Sequence, residues 1–240
     1  MKHDEERTYR SLINKDNLLS YNVSIAESDL LISSDTNLSR EALQSLAKHR
    51  HYLETYIRKH PNFRTSLLPL AEDDFAPPII KDMLSQAKIC GVGPMAGVAG
   101  AVSEFVGHDL LQRTENLIIE NGGDIFLKSK KTLTVSVYAG NSPLSYKVNF
   151  MIRPDDTPLG VCTSSATVGP SISFGRADAV CVLSPSATLA DAAASAIGNT
   201  VKRKTDITKS LDYGMKIPGV SGIIIIIGSD MGVIGNVELL

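Results

Sequence analysis

Apolar and polar residues alternate near the start of the chain, a spacing that is typical of β-strands. The segment from about Tyr9 to Ser33 is therefore predicted to form a hairpin. Apolar residues then recur three and four positions apart, which predicts a helix capped by Ser39 and ending near His60, where the following proline blocks continuation. A proline-rich, acidic loop or linker from Asn62 to Pro78 is expected next.

Two further helices are predicted on either side of a glycine-rich turn, from about Pro78 to Ile89 and from Val98 to Leu111. Beyond Leu117 the apolar period falls to two or to short runs, which indicates strands, and an alanine-rich helix reaching about Val201 interrupts them. The predicted strands cover residues 117–120, 125–127, 133–138, 146–152, 160–162, 177–183, 221–228 and 232–239.

Helices grouped early and late around a run of antiparallel-looking strands predict an α+β fold rather than alternating βαβ units. The sequence contains no internal repeat and no low-complexity tract. We expect a single domain over residues 1–240, divisible into lobes at 1–76 and 77–240.

Composition narrows the classes of function. The 240-residue chain is 43% hydrophobic, which is enough to bury a core, and its three cysteines lack the paired spacing of a disulfide framework. A formal net charge of −2 and the absence of tryptophan argue against a nucleic-acid partner. The N-terminus is charged, and the longest uniform apolar run, Ile223 to Ile227, is too short to cross a membrane. We therefore expect a cytoplasmic protein with no membrane partner.

Three histidines fall in the first predicted helix and its end. His49, His51 and His60 are surrounded by lysines and arginines, so a solvated basic face is a better interpretation than a metal cluster. No chemistry is assigned to them.

The alanine-rich helix carries a candidate metal half-site. Asp191 and Ser195 are four residues apart and therefore share one side of the helix, with Asn199 one turn further along. A carboxylate and a hydroxyl suit Mg²⁺, which prefers oxygen ligands and shares them with substrate phosphates. The alternative is that Asp191 only caps or solvates the start of the helix.

The glycine-rich turn between Gly91 and Gly100 has two interpretations. Gly93 and Gly97 could bring backbone N–H groups to a phosphate at the start of the following helix. Alternatively, the glycines allow two helices to pack closely. The spacing is not the dinucleotide-binding fingerprint, so a Rossmann site is not favoured.

Two later segments bear candidate binding groups. Asn121-Gly-Gly-Asp124 predicts a hairpin turn. Gly122 and Gly123 could also let a ligand approach closely, and Asp124 would then accept hydrogen bonds from that ligand. Thr163 and Ser164 begin a hydroxyl-rich loop suited to phosphates or a ribityl chain, although such residues also simply form loops. The adjacent Cys162 has no basic neighbour in sequence and is interpreted as a packing residue.

Taken in order, these segments resemble the ApbE-like superfamily, whose characterised members are Mg²⁺-dependent FAD:protein FMN transferases. They are most similar to an uncharacterised ApbE-like family within it, typified by Gly-Val-Gly-Pro-Met-Ala, Asn-Gly-Gly-Asp and Thr-Ser-Ser segments leading to Ala-Asp-Ala. The resemblance extends from about Phe75 to Asn199. It implies an α+β fold with a mixed, largely antiparallel sheet and packed helices.

The resemblance also implies roles for individual residues. Asp191 and Ser195 would hold Mg²⁺, because the transferases use an Asp and a Thr hydroxyl on the matching helix. Arg176, beside a predicted strand, is a further candidate source of positive charge, with a solvated arginine as the alternative. The residues expected to bind the flavin cofactor are Gly93, Gly97, Gly122, Gly123, Asp124, Thr163, Ser164 and Arg176.

Two departures from the transferase pattern weigh against FMN transfer. The transferases carry a lysine where this chain has Gly100, and an active-site histidine where residues 166–175 contain none. No catalytic residue is assigned.

Besides a purely structural oligomer subunit, two functions are left open. The first is binding of FAD, FMN or another nucleotide-like ligand with Mg²⁺, with an acceptor or partner protein and a homo-oligomer as further expectations. The alternative is a non-catalytic accessory protein in sulfur (sulfide or homocysteine) or cofactor metabolism, with Cys162 as a thiol carrier.

Overall fold

The computed structural model describes residues 18–167 and 174–240. The strands are Leu19–Ile25 (β1), Ser28–Ser34 (β2), Leu117–Asn121 (β3), Asp124–Lys128 (β4), Leu133–Ser136 (β5), Asn149–Ile152 (β6), Leu159–Ser164 (β7), Ala179–Ser184 (β8), Gly222–Ile227 (β9), Asp230–Gly235 (β10) and Glu238–Leu239 (β11). The α-helices are Ser39–Lys59 (α1), Asn62–Thr65 (α2), Pro78–Cys90 (α3), Val98–Leu110 (α4), Ala187–Gly198 (α5) and Ile207–Gly214 (α6). Short 3₁₀ turns lie at Pro94–Gly97, Pro154–Asp156 and Lys204–Asp206.

The main sheet has eight strands in the order β1-β2-β3-β4-β7-β8-β9-β10, and a second sheet has three strands in the order β11-β6-β5. All neighbouring strands are antiparallel. The predicted α+β class with a largely antiparallel sheet is therefore confirmed.

The two faces of the main sheet are covered by different layers. On β8, Val180 and Val182 pack in the same buried cluster as the alanines of α5. The alternate residues Cys181 and Leu183 pack instead with Phe150 of the small sheet. This is the period of two that a strand buried on both faces shows, and it places α5 directly against the main sheet.

Helix α5 approaches the sheet closely because small residues face each other. A side chain on Gly160 of β7 would have its Cβ only 2.4 Å from the Cα of Ala187. Ser186 caps the helix by accepting a hydrogen bond from the backbone N–H of Leu189 at 3.2 Å. Asp191 therefore does not cap this helix.

The structure corrects several sequence predictions. Helix α1 begins at Ser39, but the capping position is Leu38 and no side chain caps it. His49 is buried and shares a hydrogen bond of 3.0 Å with Asp109, so the expected solvated face is wrong for this residue, although His51 is exposed. Helix α6 was not predicted, because its eight residues contain only two apolar core positions.

The strand boundaries also differ. β5 ends at Ser136 and β6 begins at Asn149, so both are shorter than predicted. Residues 9–17 of the predicted opening hairpin lie outside the described residues. None of the described helices is by itself long and apolar enough to span a membrane. The segments Pro78–Cys90 and Pro94–Leu110 are together long and apolar enough, but the chain bends by 106° between them.

Candidate functional site

The turn between β3 and β4 fixes the first carboxylate of the site. Gly122 and Gly123 have φ values of 67° and 104°, which glycine adopts without strain. The carboxylate of Glu120 accepts a hydrogen bond from the N–H of Gly123 at 2.7 Å, and the side-chain amide of Asn121 donates to the carbonyl of Ala99 at 3.1 Å. The predicted hairpin turn is confirmed, and it is tied to the start of α4.

Asp124 follows this turn as the first residue of β4. Its carboxylate is buried and accepts a hydrogen bond from the backbone N–H of Thr163 on β7 at 3.2 Å. Its backbone carbonyl accepts a hydrogen bond of 3.3 Å from the hydroxyl of Ser103 on α4. Asp124 is thus held at the join between the sheet and α4.

Asp191 lies on α5, against the first turn of α4. Asp191 is half-buried as a whole residue, and its carboxylate accepts a hydrogen bond from the backbone N–H of Gly100 at 2.9 Å. A Cβ at Gly100 would lie 2.2 Å from the carbonyl oxygen of Ala187 and 2.9 Å from the Cβ of Asp191. Only glycine allows this approach, and α4 contacts both residues that carry the carboxylates, Asp191 through Gly100 and Asp124 through Ser103.

The two carboxyl groups interact electrostatically. Burial raises the pKa of Asp191 to about 7, against the opposing hydrogen bond from Gly100. Burial and then the charge of Asp191 raise the pKa of Asp124 well above its usual value. Within residues 18–167 and 174–240, neither carboxylate forms an ion pair with a Lys, Arg or His side chain. The pair therefore lacks a compensating cation among these residues.

This donor set fits a hard divalent cation. Mg²⁺ typically binds one or two carboxylates and completes its shell with water and substrate phosphates. The described part of the chain contains no group of three or more His, Cys, Asp and Glu side chains placed to hold a metal. Asp124 and Asp191 would thus supply two ligands and leave the remaining positions to a ligand that brings its own oxygens.

Among the other predicted site residues, Ser164 and Ser195 have hydroxyl groups at helix α5, whereas Thr163 does not. Ser164 is buried beside Gly198 of α5, where an added Cβ would lie 3.6 Å from the hydroxyl oxygen of Ser164. Ser195 is half-buried and follows Asp191 by one helical turn. The side chain of Thr163 instead lies beside Cys181, and the backbone N–H of Thr163 donates to Asp124.

The glycines before α4 pack against other backbone. A Cβ on Gly93 would lie 1.8 Å from the carbonyl oxygen of Ser66, and one on Gly97 would lie 2.9 Å from that of Thr188. Both contacts support the close-packing interpretation of this segment. In addition, an N–H in the first turn of α4 already has an anionic partner, the carboxylate of Asp191.

Comparison with known proteins identifies the family. A family model described as AbpE bacteria matches residues 10–222. A UPF0280 protein of Methanococcus aeolicus is 39% identical over 221 residues, covering 90% of this chain and 89% of its own length. The chain belongs to the ApbE-like UPF0280 family. A UPF0280 protein of Methanocaldococcus jannaschii is 40% identical over 219 residues, covering 89% of both chains.

Solved structures share the fold of this UPF0280 chain. The apo flavinyl transferase ApbE of Pseudomonas stutzeri superposes with a TM-score of 0.55 at 11% identity, covering 91% of this chain and 94% of that one. A mutant of the flavin transferase ApbE of Vibrio cholerae gives 0.60 at 11% identity, with 91% and 97% covered. The ApbE protein of Thermotoga maritima gives 0.57 at 12% identity, with 90% and 96% covered. The similarity establishes the ApbE-like fold.

Cys162 of the UPF0280 chain is fully buried under α5. Its thiol donates a hydrogen bond to the carbonyl of Ala187 at 3.4 Å. Burial, followed by the charges of Asp124 and Asp191, raises the pKa of Cys162 well above its usual range. Such a thiol stays protonated near neutral pH, which supports the interpretation of Cys162 as a packing residue.

Arg176 is not brought to the two carboxylates. Its backbone N–H donates to the carbonyl of Val201 at 2.8 Å, beyond the C-terminal end of α5. Its side chain lines a cleft there, whereas Asp191 lies about 10 Å back along the helix axis from Gly198.

Glu104 on α4 is an organising residue that the sequence predictions missed. One oxygen of its carboxylate accepts hydrogen bonds from the hydroxyl of Ser186 at 2.9 Å, and from the N–H and hydroxyl of Thr188 at 2.9 and 3.2 Å. His108, one turn along α4, approaches the other oxygen at 3.6 Å. Glu104 therefore fixes the N-terminus of α5. The sequence signal that could have identified Glu104 is the spacing of Glu104 and His108, four residues apart on a predicted helix.

Proposed function

We propose that this UPF0280 protein binds a flavin nucleotide, FAD or FMN, together with Mg²⁺ at the Asp124–Asp191 pair. The proposal rests on the juxtaposition of two desolvated carboxylates against α4, with no cationic side chain paired to them among the described residues. The shared fold with the flavin transferases of Pseudomonas stutzeri and Vibrio cholerae supports the choice of ligand class.

Each residue has a defined part in this binding. Asp191 and Asp124 would each give Mg²⁺ a carboxylate oxygen, with the hydroxyl of Ser195 available one turn along α5. The N–H groups of Gly100 and Thr163 hold the two carboxylates in place. The bound ion would neutralise both the carboxylates and a phosphate of the ligand.

Gly122 and Gly123 leave space beside this pair. A Cβ built on either glycine meets no atom within 4 Å, and both have positive φ values. Ser164, on the α5-facing side of β7, supplies a hydroxyl at the same layer between sheet and helix. We assign these residues to the flavin-binding surface.

The proposal covers binding and not transfer of FMN. Phosphoryl-type transfer relies on positioned charge and proton acceptors. A lysine at position 100 would collide with Ala187, so that charge is missing from α4. The histidine of this helix, His108, is paired with Glu104.

Isothermal titration calorimetry with FAD, FMN and ADP tests this function, each with and without Mg²⁺. We expect at least one flavin to bind with micromolar affinity in the presence of Mg²⁺ and at least tenfold more weakly in EDTA. No binding of any of the three ligands at high micromolar concentration would contradict the proposal.

A further inference from the structure

A second cleft lies at the C-terminal end of α5, apart from the Asp124–Asp191 pair. This open cleft has a volume of about 730 Å³ and lies between the segment that precedes β8, the turn that follows α5 and helix α6. The eight residues that line it include one carboxylate, Asp206, and four cationic side chains: Arg176, Lys202, Arg203 and Lys209.

The wall that carries Arg176 is held against α5 by backbone contacts. A Cβ on Gly175 would lie 1.9 Å from the carbonyl oxygen of Gly198, so the backbone at Gly175 lies directly against the end of α5. The N–H of Phe174 donates to the side-chain oxygen of Asn199 at 2.9 Å, and the N–H of Arg176 donates to Val201 at 2.8 Å. Arg176 therefore has a fixed attachment point at the edge of the cleft.

The carboxylate in the cleft is already engaged. Asp206 accepts hydrogen bonds from the backbone N–H groups of Lys202 and Arg203 at 3.0 and 3.1 Å, and the Arg203 guanidinium lies 3.5 Å from its other oxygen. Among the described residues, Arg176, Lys202 and Lys209 form no ion pair with a carboxylate. The Lys202 ammonium donates to the carbonyl of Phe174, which leaves its charge uncompensated.

We propose that this cleft binds a small molecule bearing two or more phosphate groups. Arginine and lysine together suit phosphate, since the guanidinium binds two oxygens at once and the ammonium adds a point charge. The volume lies within the range of about 300 to 1,000 Å³ that is usual for small-ligand sites. The excess of positive charge belongs to this cleft and is not a property of the whole chain, which has a formal net charge of −2.

The shape of the cleft favours a small molecule over an extended acidic peptide. The cations converge on one concavity, and the ring of Tyr213, which is 40% exposed, forms part of its wall and can contact an organic group. The inference is independent of the proposed flavin site, since no residue of the Asp124–Asp191 pair lines this cleft.

Calorimetric titration with inorganic pyrophosphate in EDTA and low salt tests the inference, because removing Mg²⁺ takes the Asp124–Asp191 pair out of the measurement. The test variant is Arg176→Gln/Lys209→Gln. The control is Lys204→Gln, a lysine of the same segment that lies outside the cleft, 3.8 Å from Asp230. We expect pyrophosphate to bind at least tenfold more weakly to the double variant than to wild type, and with unchanged affinity to Lys204→Gln.

Three results would overturn this inference. They are no binding of pyrophosphate to the wild-type protein at millimolar concentration, equal binding to the double variant, and tighter binding of a hepta-glutamate peptide than of pyrophosphate. Thermal unfolding confirms that each variant is folded. If the double variant does not fold, the exposed Lys209→Gln alone replaces it, with an expected loss of at least threefold in affinity.

Discussion

The backbone N–H of Gly100 donates a hydrogen bond to the carboxylate of Asp191 at 2.9 Å, and the space that a side chain at position 100 would need is taken by Ala187 and Asp191. The same glycine therefore joins helices α4 and α5 and orients a carboxylate of the candidate site. This contact is a physical reason for glycine at this position, where the resemblance to the transferases predicts a lysine. A lysine there would have to separate the two helices.

Substituting Gly100→Ala is expected to lower the free energy of unfolding by about 2 kcal/mol, because the methyl group would overlap the carbonyl of Ala187. Without the overlap, alanine would stabilise a helix by about 1 kcal/mol relative to glycine. Urea unfolding followed by circular dichroism measures the change. The control is Gly198→Ala on α5, whose added Cβ makes only ordinary contacts, the nearest at 3.6 Å. Equal stability of Gly100→Ala and wild type would contradict the packing described for α4.

Substituting Glu104→Gln is expected to destabilise the fold by about 2 kcal/mol, since a charged acceptor of several hydrogen bonds becomes neutral. Burial alone would raise the pKa of Glu104, but hydrogen bonds from His108, Thr188 and Ser186 hold it below its usual value. The carboxylate is thus expected to be ionised at neutral pH.

The matched control for this change is His108→Gln. The side chain of His108 is 54% exposed, and its contact with Glu104 is 3.6 Å, so its loss should cost less than about 1 kcal/mol. Chemical unfolding of both variants at pH 7 makes the comparison. A larger effect for His108→Gln than for Glu104→Gln would show that the ion pair, and not the capping of α5, is the stabilising contact.

Stability of the metal-free protein is expected to fall as pH rises from about 4 to about 7 through the contribution of Asp191. The folded state raises the pKa of Asp191 to about 7 from the ordinary value of 3.8, so it holds a proton that the unfolded chain releases. Each unit by which the pKa is raised corresponds to about 1.4 kcal/mol between the two protonation states.

Urea unfolding in EDTA at pH 5, 6, 7 and 8 measures this dependence. Asp191→Asn should be more stable than wild type at pH 8 and should show a shallower decline over the same range. A steeper decline in Asp191→Asn, or lower stability of this variant at pH 8, would contradict the assignment of Asp191 as a carboxyl group desolvated beside a second one.

The thiols are expected to react slowly in the native state. Cys90, Cys162 and Cys181 are all buried, and burial raises the pKa of Cys90 and of Cys181 to about 12. Labelling with a thiol reagent at pH 8 should be at least a hundredfold slower than in denaturant. Cys162→Ser should retain flavin binding. Rapid labelling of Cys162 in the folded protein would instead favour its role as a thiol carrier.

The order of elements was predictable from the sequence, because it depends on local periodicity. The alanine run of α5 and the Asn121-Gly-Gly-Asp124 turn carry strong local signals, and both are present where expected. Helix α6 has only Ile207 and Leu211 as buried apolar residues one turn apart, a signal too short to separate it from a loop.

The site itself was predictable only in part. The spacing of Asp191 and Ser195 places them on one side of α5, but the partner of Asp191 is Gly100, which is 91 positions away in the sequence. Asp124 approaches Asp191 because β4 is followed in the sheet by β7 and β8, and α5 packs on these two strands. Such contacts depend on strand order, which local patterns do not specify.

The most direct test of the account is the Mg²⁺ dependence of FAD affinity in wild type, Asp191→Asn and Asp155→Asn, measured by calorimetry. Asp155 is an exposed carboxylate on a remote 3₁₀ turn and serves as the control. We predict that Mg²⁺ strengthens FAD binding at least tenfold in wild type and in Asp155→Asn, and not at all in Asp191→Asn. Undiminished enhancement by Mg²⁺ in Asp191→Asn would contradict the metal site at Asp124 and Asp191.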